Sequence, residues 1–138
     1  SSKVFAQSFM ERYGIPTARA GAFADAVSAS RFAASLGGRC AVKADGLALG
    51  KGVLICQDMA QADQAIEEVL VRKAFGTAGT KIVIQEFLEG MEISLHALCD
   101  GQTAKLFPTS QDHKRALDGD QGLNTGGMVA CSPAPFLN

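Results

Sequence analysis

The chain has 138 residues, 47% of them hydrophobic, which suffices for the packed core of one domain and argues against disorder. Thirteen basic and fourteen acidic residues give a net charge of −1, so no overall positive field favours nucleic acid or an anionic membrane as a partner. No apolar run reaches the roughly 20 residues that cross a bilayer, and no secretory leader is recognisable, so we expect a cytoplasmic protein.

The cysteines and the chain ends add two further expectations. The four cysteines are far apart, form no Cys-x-x-Cys pair and mostly lie in apolar runs, so we expect buried, reduced thiols at Cys40, Cys56, Cys99 and Cys131. The chain starts at a helix cap and ends without a closing element, so we expect a segment of a longer polypeptide.

A first helix is predicted at the start of the chain. Ser2 can cap it, and Gly14 before a proline ends it. Its aromatic residues Phe5, Phe9 and Tyr13 recur at every fourth position, so we expect them to form one buried stripe.

Two more helices are predicted in the first half of the chain. The second runs from about Ala24 or Asp25 to Leu36, before a pair of glycines. The third is capped by Asp58 and continues through about Arg72 with a regular apolar face.

The remaining elements of the first 106 residues are strands. An Asp100-Gly101 pair predicts a hairpin between 92–99 and 102–106, and short apolar runs predict strands at 40–44, 53–56 and 81–86. From 109 to 135 periodicity is weak and polar residues are concentrated, which predicts long functional loops. Together these elements indicate an α+β fold with a mostly antiparallel sheet.

The segment 42–53 is a glycine-bearing loop with Lys43 and Lys51 near its ends and three glycines between or beside them (Gly46, Gly50, Gly52). Its glycine spacing and the missing Ser or Thr after Lys51 exclude a Walker A loop, so it cannot hold magnesium in that way. Two apolar strands flank it, which favours a hairpin lid over phosphates. An ordinary glycine-rich turn is the alternative.

The segment 85–92 has a buried strand end followed by an acidic turn. A strand end that leaves its sheet offers a backbone carbonyl and an amide side by side, which match the adenine edge, and Glu92 could accept bonds from ribose hydroxyls. The alternative is a solvated acidic turn.

The segment 112–115 combines Asp112, His113, Lys114 and Arg115, a mixture that suits a polar substrate or a transferring phosphate. A solvated surface loop is the alternative. No second His or Cys lies at ligand spacing from His113, so we expect no zinc site, and His96 in an apolar strand is predicted to be structural.

The segment 124–127 contains Asn124, Thr125, Gly126 and Gly127. Bare backbone, a hydroxyl and a carboxamide are the parts from which an anion-binding nest is made. We expect a turn here.

Taken in chain order, these segments resemble the ATP-grasp superfamily and, within it, the phosphoribosylamine–glycine ligase family. The most specific matches are 109–115, 124–128 and 132–135. The resemblance implies a partial ATP-grasp fold, with the small lobe and its lid at 1–88 and the beginning of the large lobe at 89–138.

The resemblance also implies roles for individual residues. ATP would be bound by Lys3, Lys43, Gln85, Glu86, Phe87, Leu88, Glu92, Arg115 and Asn124. The lid would be formed by Gly46, Gly50, Lys51 and Gly52, and Arg115 would assist catalysis. The substrate side would be formed by Asp112, His113, Lys114, Thr125, Gly126, Gly127 and Met128.

The implied activity is ATP-dependent ligation of glycine to 5-phosphoribosylamine through an acyl phosphate, in purine biosynthesis. ATP and Mg²⁺ or Mn²⁺ would be required, with the metal ligands outside this chain, so that the segment alone would be inactive. Two alternatives remain open, namely a ligase for another acid and amine and a non-catalytic nucleotide-binding module. The sequence does not determine the oligomeric state.

Overall fold

A computed structural model describes residues 2–46, 48, 52–119 and 121–136, with the backbone only for 122–124. The chain divides into two compact units, Ser1–Leu88 and Glu89–Asn138. Their interpretation as a small lobe and the start of a large lobe remains a prediction. None of the described helices is long and apolar enough to span a bilayer.

The predicted caps Ser2 and Asp58 are confirmed, Asp25 is a further cap, and the first unit contains three helices. They are α1 (Lys3–Arg12), α2 (Ala26–Ser35) and α3 (Met59–Ile66). The side chains of Ser2, Asp25 and Asp58 each accept a hydrogen bond from the backbone N–H three residues later, at 2.8 to 3.0 Å. A π-helical turn, Glu67–Val71, continues α3 to the predicted end near Arg72.

The sheet of the first unit has four strands in the order β1-β4-β2-β3, and all neighbours are antiparallel. The predicted strands are confirmed as β2 (Cys40–Ala44), β3 (Val53–Cys56) and β4 (Ile82–Glu86). A further edge strand, β1 (Ala20–Phe23), was not predicted and pairs with β4.

The core of the first unit lies between the sheet and the helices α2 and α3. Small alanines on the helices face branched side chains from the strands, which allows close packing of the layers. Its buried members include Ala29, Ala33, Val42, Ile66, Val69, Ile82 and Ile84.

The buried stripe predicted for α1 is wrong. Phe5, Phe9 and Tyr13 are 70%, 46% and 63% exposed, and the buried residue of this helix is Gln7. The rings pack on one another instead, with centroids 6.3 and 4.7 Å apart. Periodicity shows that side chains share a face, but it does not supply a neighbour that covers them.

The second unit consists of two antiparallel hairpins. The predicted hairpin is confirmed as β5 (Ala97–Cys99) with β6 (Ala104–Leu106), and a bridge between Ser94 and Ser110 extends it. The loops predicted for 109–135 are wrong over most of their length, because β7 (Gln111–Leu117) pairs there with β8 (Gln121–Cys131). β7 is mostly polar, and β8 combines glycines with exposed apolar residues at its end, so neither strand shows the apolar alternation that predicts a strand.

The cysteine expectation is half right. All four cysteines are free, and Cys40 and Cys56 are buried, whereas Cys99 and Cys131 are exposed. His96, predicted to be a structural histidine, is also exposed. In the second unit the two-stranded hairpins leave these side chains uncovered by a second layer.

Candidate functional site

The glycine loop joins β2 to β3, and its base is closed by backbone hydrogen bonds. The N–H of Ala44 donates to the carbonyl of Gly52 at 2.8 Å, and the N–H of Gly46 donates to that of Ala78 at 3.2 Å. A Cβ at Gly46 would lie 2.8 Å from the Cβ of Ala78, so this position requires glycine. The other predicted lid residues, Gly50 and Lys51, lie outside the described residues.

Lys3 holds the base of the same loop. Its ammonium donates to the carbonyl oxygens of Ala44 and Gly46 at 2.7 and 3.2 Å. The first residue of α1 thereby fixes the backbone at the end of β2. Its predicted contact with ATP phosphates remains a prediction.

Asp45 is a residue of this region that the sequence reasoning missed. Its carboxylate accepts hydrogen bonds from the hydroxyl of Ser2 at 2.9 Å and from the N–H of Val4 at 2.8 Å. Burial opposes its ionisation, but these hydrogen bonds outweigh burial and hold the pKa of Asp45 below its usual value. An aspartate beside a glycine gives no signal in the sequence for a bond across 41 residues.

Lys43 and Gln85, both predicted ATP ligands, are in contact. The Lys43 ammonium donates a hydrogen bond to the side-chain oxygen of Gln85. The antiparallel register pairs Ala41 with Gln85, so Lys43 lies two residues further along β2 on the same face. The structure thus brings these two predicted residues together beside the loop.

The predicted adenine hinge lies where β4 leaves the sheet. Glu86 is fixed to Arg19, whose backbone N–H donates to the Glu86 carboxylate at 2.8 Å and whose carbonyl accepts from the Glu86 N–H at 2.9 Å. The Arg39 guanidinium lies 4.5 Å from the centre of the Phe87 ring. Leu88 is 65% exposed, and its N–H donates to no other backbone group among the described residues.

In the second unit, Lys114 joins Glu92 to Asp112. Its ammonium lies 3.3 Å from the Oε2 of Glu92 and 3.6 Å from the Oδ1 of Asp112. The hydrogen bond to Glu92 is the main cause that raises the pKa of Lys114, so this side chain stays protonated at neutral pH. A predicted ribose ligand and two predicted substrate residues therefore form one cluster.

The predicted turn at 124–127 is instead an irregular stretch of β8. The register pairs His113 with Val129 but Arg115 with Asn124, so four residues bulge opposite Lys114. The Thr125 hydroxyl donates to the Lys114 carbonyl at 2.8 Å and accepts from the Gly127 N–H at 3.1 Å.

Other predicted residues lie in or next to this bulge. Gly126, Gly127 and the exposed Met128 belong to the bulge, the exposed His113 precedes Lys114 on the facing strand, and Gly127 has a φ of +120°, which favours glycine. The Asn124 side chain lies outside what the structure describes, so its predicted contact with ATP is not visible.

The described side chains include no group of three His, Cys, Asp or Glu residues that could hold a metal ion. The arrangement instead supplies cations, bare loop backbone and one exposed strand end. Such groups can bind a polyphosphate and the edge of a base. That these groups bind a nucleotide remains a prediction.

Comparison with known proteins identifies the family. Residues 1–138 match the family described as phosphoribosylglycinamide synthetase, ATP-grasp (A) domain. Proteins named phosphoribosylamine–glycine ligase from Caulobacter vibrioides and Streptococcus pneumoniae are 53% and 50% identical, over 99% of this chain and 32% of their own lengths. The chain thus spans about a third of these relatives.

Comparison with solved structures supports the same family. The crystal structure of phosphoribosylamine–glycine ligase from Thermotoga maritima superimposes with a TM-score of 0.87 at 36% identity, covering 96% of this chain and 34% of that one. D-alanyl-alanine synthetase A from Vibrio cholerae, at 14% identity and a TM-score of 0.63, shares the fold alone. The partial ATP-grasp fold is confirmed, and the chain belongs to the phosphoribosylglycinamide synthetase family as its ATP-grasp (A) domain.

Proposed function

We propose that this chain is the nucleotide-binding part of a cytoplasmic ligase that joins glycine to 5-phosphoribosylamine in purine biosynthesis. The observation that carries the proposal is an identity of 48 to 53% with proteins named phosphoribosylamine–glycine ligase, over 99% of the chain. ATP and a divalent metal ion are the cofactors that the ATP-grasp family uses.

The proposed reaction has two balanced steps. An oxygen of the glycine carboxylate attacks the γ-phosphorus of ATP, giving glycyl phosphate and ADP. The amine of 5-phosphoribosylamine then attacks the acyl carbon, phosphate leaves, and a proton is released as glycinamide ribonucleotide forms. Positioning and charge stabilisation carry such a phosphoryl transfer, so no side chain has to act as a nucleophile.

The residues of the first unit would bind ATP. Lys43 would donate to the phosphates while Gln85 orients its ammonium, and Lys3 would hold the base of the lid and reach the same phosphates. The carbonyl of Glu86 and the N–H of Leu88 would bind the adenine edge, with Phe87 between them. The glycine loop would close over the phosphates.

The residues of the second unit would bind ribose and substrates. Glu92 would accept from the ribose hydroxyls, and Arg115 and Asn124 would lie near the phosphates, where Arg115 stabilises the transferred charge. Asp112, His113 and the bulge Thr125–Met128 would form the substrate side. We assign the metal ligands to polypeptide outside residues 1–138, as the resemblance to the ATP-grasp family implies.

The proposal is tested by coupled measurement of ADP release from the full-length protein that contains this chain. We expect release only when ATP, glycine and 5-phosphoribosylamine are all present, with product confirmed by mass spectrometry. Equal release with another amino acid would favour a different carboxylate–amine ligase. ATP binding without turnover of any acid and amine would favour a nucleotide-binding module.

A further inference from the structure

The cluster of Glu92, Asp112 and Lys114 follows from strand pairing. Ser94 and Ser110 form an antiparallel bridge, with both backbone N–H groups donating across it at 2.7 and 2.9 Å. Glu92 and Asp112 lie two residues beyond this bridge on either side, so the bridge brings the two chain segments that carry these carboxylates near each other. Like charges on facing strands repel each other.

Lys114 offsets this repulsion. It lies two residues after Asp112 on β7, hence on the same face of the strand, and its ammonium reaches both carboxylates at 3.3 and 3.6 Å. Its backbone is also fixed, because its carbonyl accepts the Thr125 hydroxyl at 2.8 Å. The lysine therefore approaches Glu92 from a constrained position.

The ion pair contributes little to folding. The Lys114 and Glu92 side chains are 46% and 78% exposed, and exposed pairs of this kind stabilise a fold only weakly. Its main consequence is geometric. The hydrogen bond from the ammonium to Oε2 favours one orientation of the Glu92 carboxylate, whose other lone pairs can accept hydrogen bonds from a ligand.

We propose that Lys114 is a positioning residue that orients the Glu92 carboxylate toward the ribose hydroxyls, so that the enzyme prefers ATP to nucleotides lacking those hydroxyls. This inference rests on the proposed role of Glu92. It gives Lys114 a role through Glu92 rather than through contact with the substrate.

The test measures dissociation constants for ATP and 2′,3′-dideoxyATP by calorimetry in the full-length protein. The variants are Lys114→Gln, Lys114→Arg and Glu92→Ala, and Lys105→Gln is the matched control because Lys105 is exposed on β6 and forms no ion pair with a described residue. We expect Lys114→Gln to weaken ATP binding about fivefold, the scale of an exposed ion pair. Dideoxynucleotide binding should stay unchanged.

Three further results are expected. The single variant Lys114→Arg should retain most of the preference for ATP. Lys105→Gln should leave this preference intact, and Glu92→Ala should abolish it. In the background of Glu92→Ala, Lys114→Gln should have no additional effect, because the residue acts through Glu92. A general loss of structure would weaken the binding of ATP and of the dideoxynucleotide together. It would not show this dependence on the ribose hydroxyls.

The same measurements distinguish a wrong role for Lys114 from a wrong role for Glu92. If Glu92→Ala keeps the preference for ATP, the assignment of Glu92 to ribose is wrong and the inference fails with it. If Glu92→Ala loses the preference but Lys114→Gln keeps it, the positioning role is wrong and the proposed function stands. If Lys114→Gln weakens the binding of ATP and of 2′,3′-dideoxyATP equally, the positioning role is also wrong. Should Lys114→Gln fail to fold, Lys114→Met provides the same comparison.

Discussion

Asp45 links the start of α1 to the glycine loop, and it makes this link sensitive to acid. Its carboxylate accepts from Ser2 and Val4 through Oδ1, the ionised form is the stronger acceptor, and its pKa in the folded protein is lowered from 3.8. A group with a depressed folded pKa contributes stability above its unfolded pKa and loses it as pH falls through the folded value. The contribution of Asp45 should therefore be complete above about pH 5 and be lost as the pH falls below 3.8 through the folded value.

The variant Asp45→Asn tests this pH-dependent contribution to stability. We expect the difference in unfolding free energy between wild type and variant to shrink as pH falls from about 5 to 2, because both proteins then lack the carboxylate. Urea unfolding at a series of pH values measures it, with the exposed Asp118→Asn as control. A difference that is constant over this range would show that the charge of Asp45 does not contribute.

Lys43 is the cation whose side chain the structure places beside the loop and against Gln85. We expect Lys43→Met to weaken ATP binding to the full-length protein by about 1.5 to 3 kcal/mol, the scale of a hydrogen bond to a charged group. Lys81→Met is the control, since Lys81 is an exposed lysine at the start of β4. Equal effects on the calorimetric dissociation constant would assign the loss to net charge and not to Lys43.

Some site residues were readable from the sequence because each signal was local. Glycine spacing located the loop at Gly46, and an apolar run followed by acidic residues located the hinge. The bonds from Ser2 to Asp45 and from Lys114 to Glu92 were not readable, because they join residues 43 and 22 positions apart. Only the packing of α1 and the register of the hairpins bring those groups together.

At the scale of elements, the turn between α2 and β2 determines how closely α3 can approach. Gly37 and Gly38 end α2 with φ values of +75° and +81°, and their N–H groups donate to Ala34 and Ala33 at 3.0 and 2.9 Å. This is the Schellman ending of a helix. A Cβ at Gly38 would overlap the backbone of Met59, whereas a Cβ at Gly37 would meet no atom within 4 Å.

These two glycines give a matched pair of variants. Gly37→Ala should cost about 1 to 2 kcal/mol for the left-handed backbone alone. Gly38→Ala should cost about 1 to 3 kcal/mol more, because the start of α3 must shift to relieve the overlap. Urea unfolding of the full-length protein measures both. Equal costs would mean that α3 moves aside freely.

Elements with a local signature were predicted, and elements defined by their partners were not. Side-chain caps at Ser2 and Asp58 identified two helices, and apolar runs such as Ile82–Glu86 identified strands. The strand β1 is short and rich in small residues, β7 is mostly polar, and β8 mixes three glycines with polar and apolar residues. Such strands are fixed by pairing with a neighbour, which periodicity does not reveal.

At the scale of the whole molecule, the chain aligns with about a third of its ligase relatives. We therefore expect residues 1–138 alone to release no ADP in the presence of ATP, Mg²⁺, glycine and 5-phosphoribosylamine. The full-length protein in the same coupled assay is the control. Glycine-dependent ADP release by the isolated segment would show that these residues contain a complete catalytic centre.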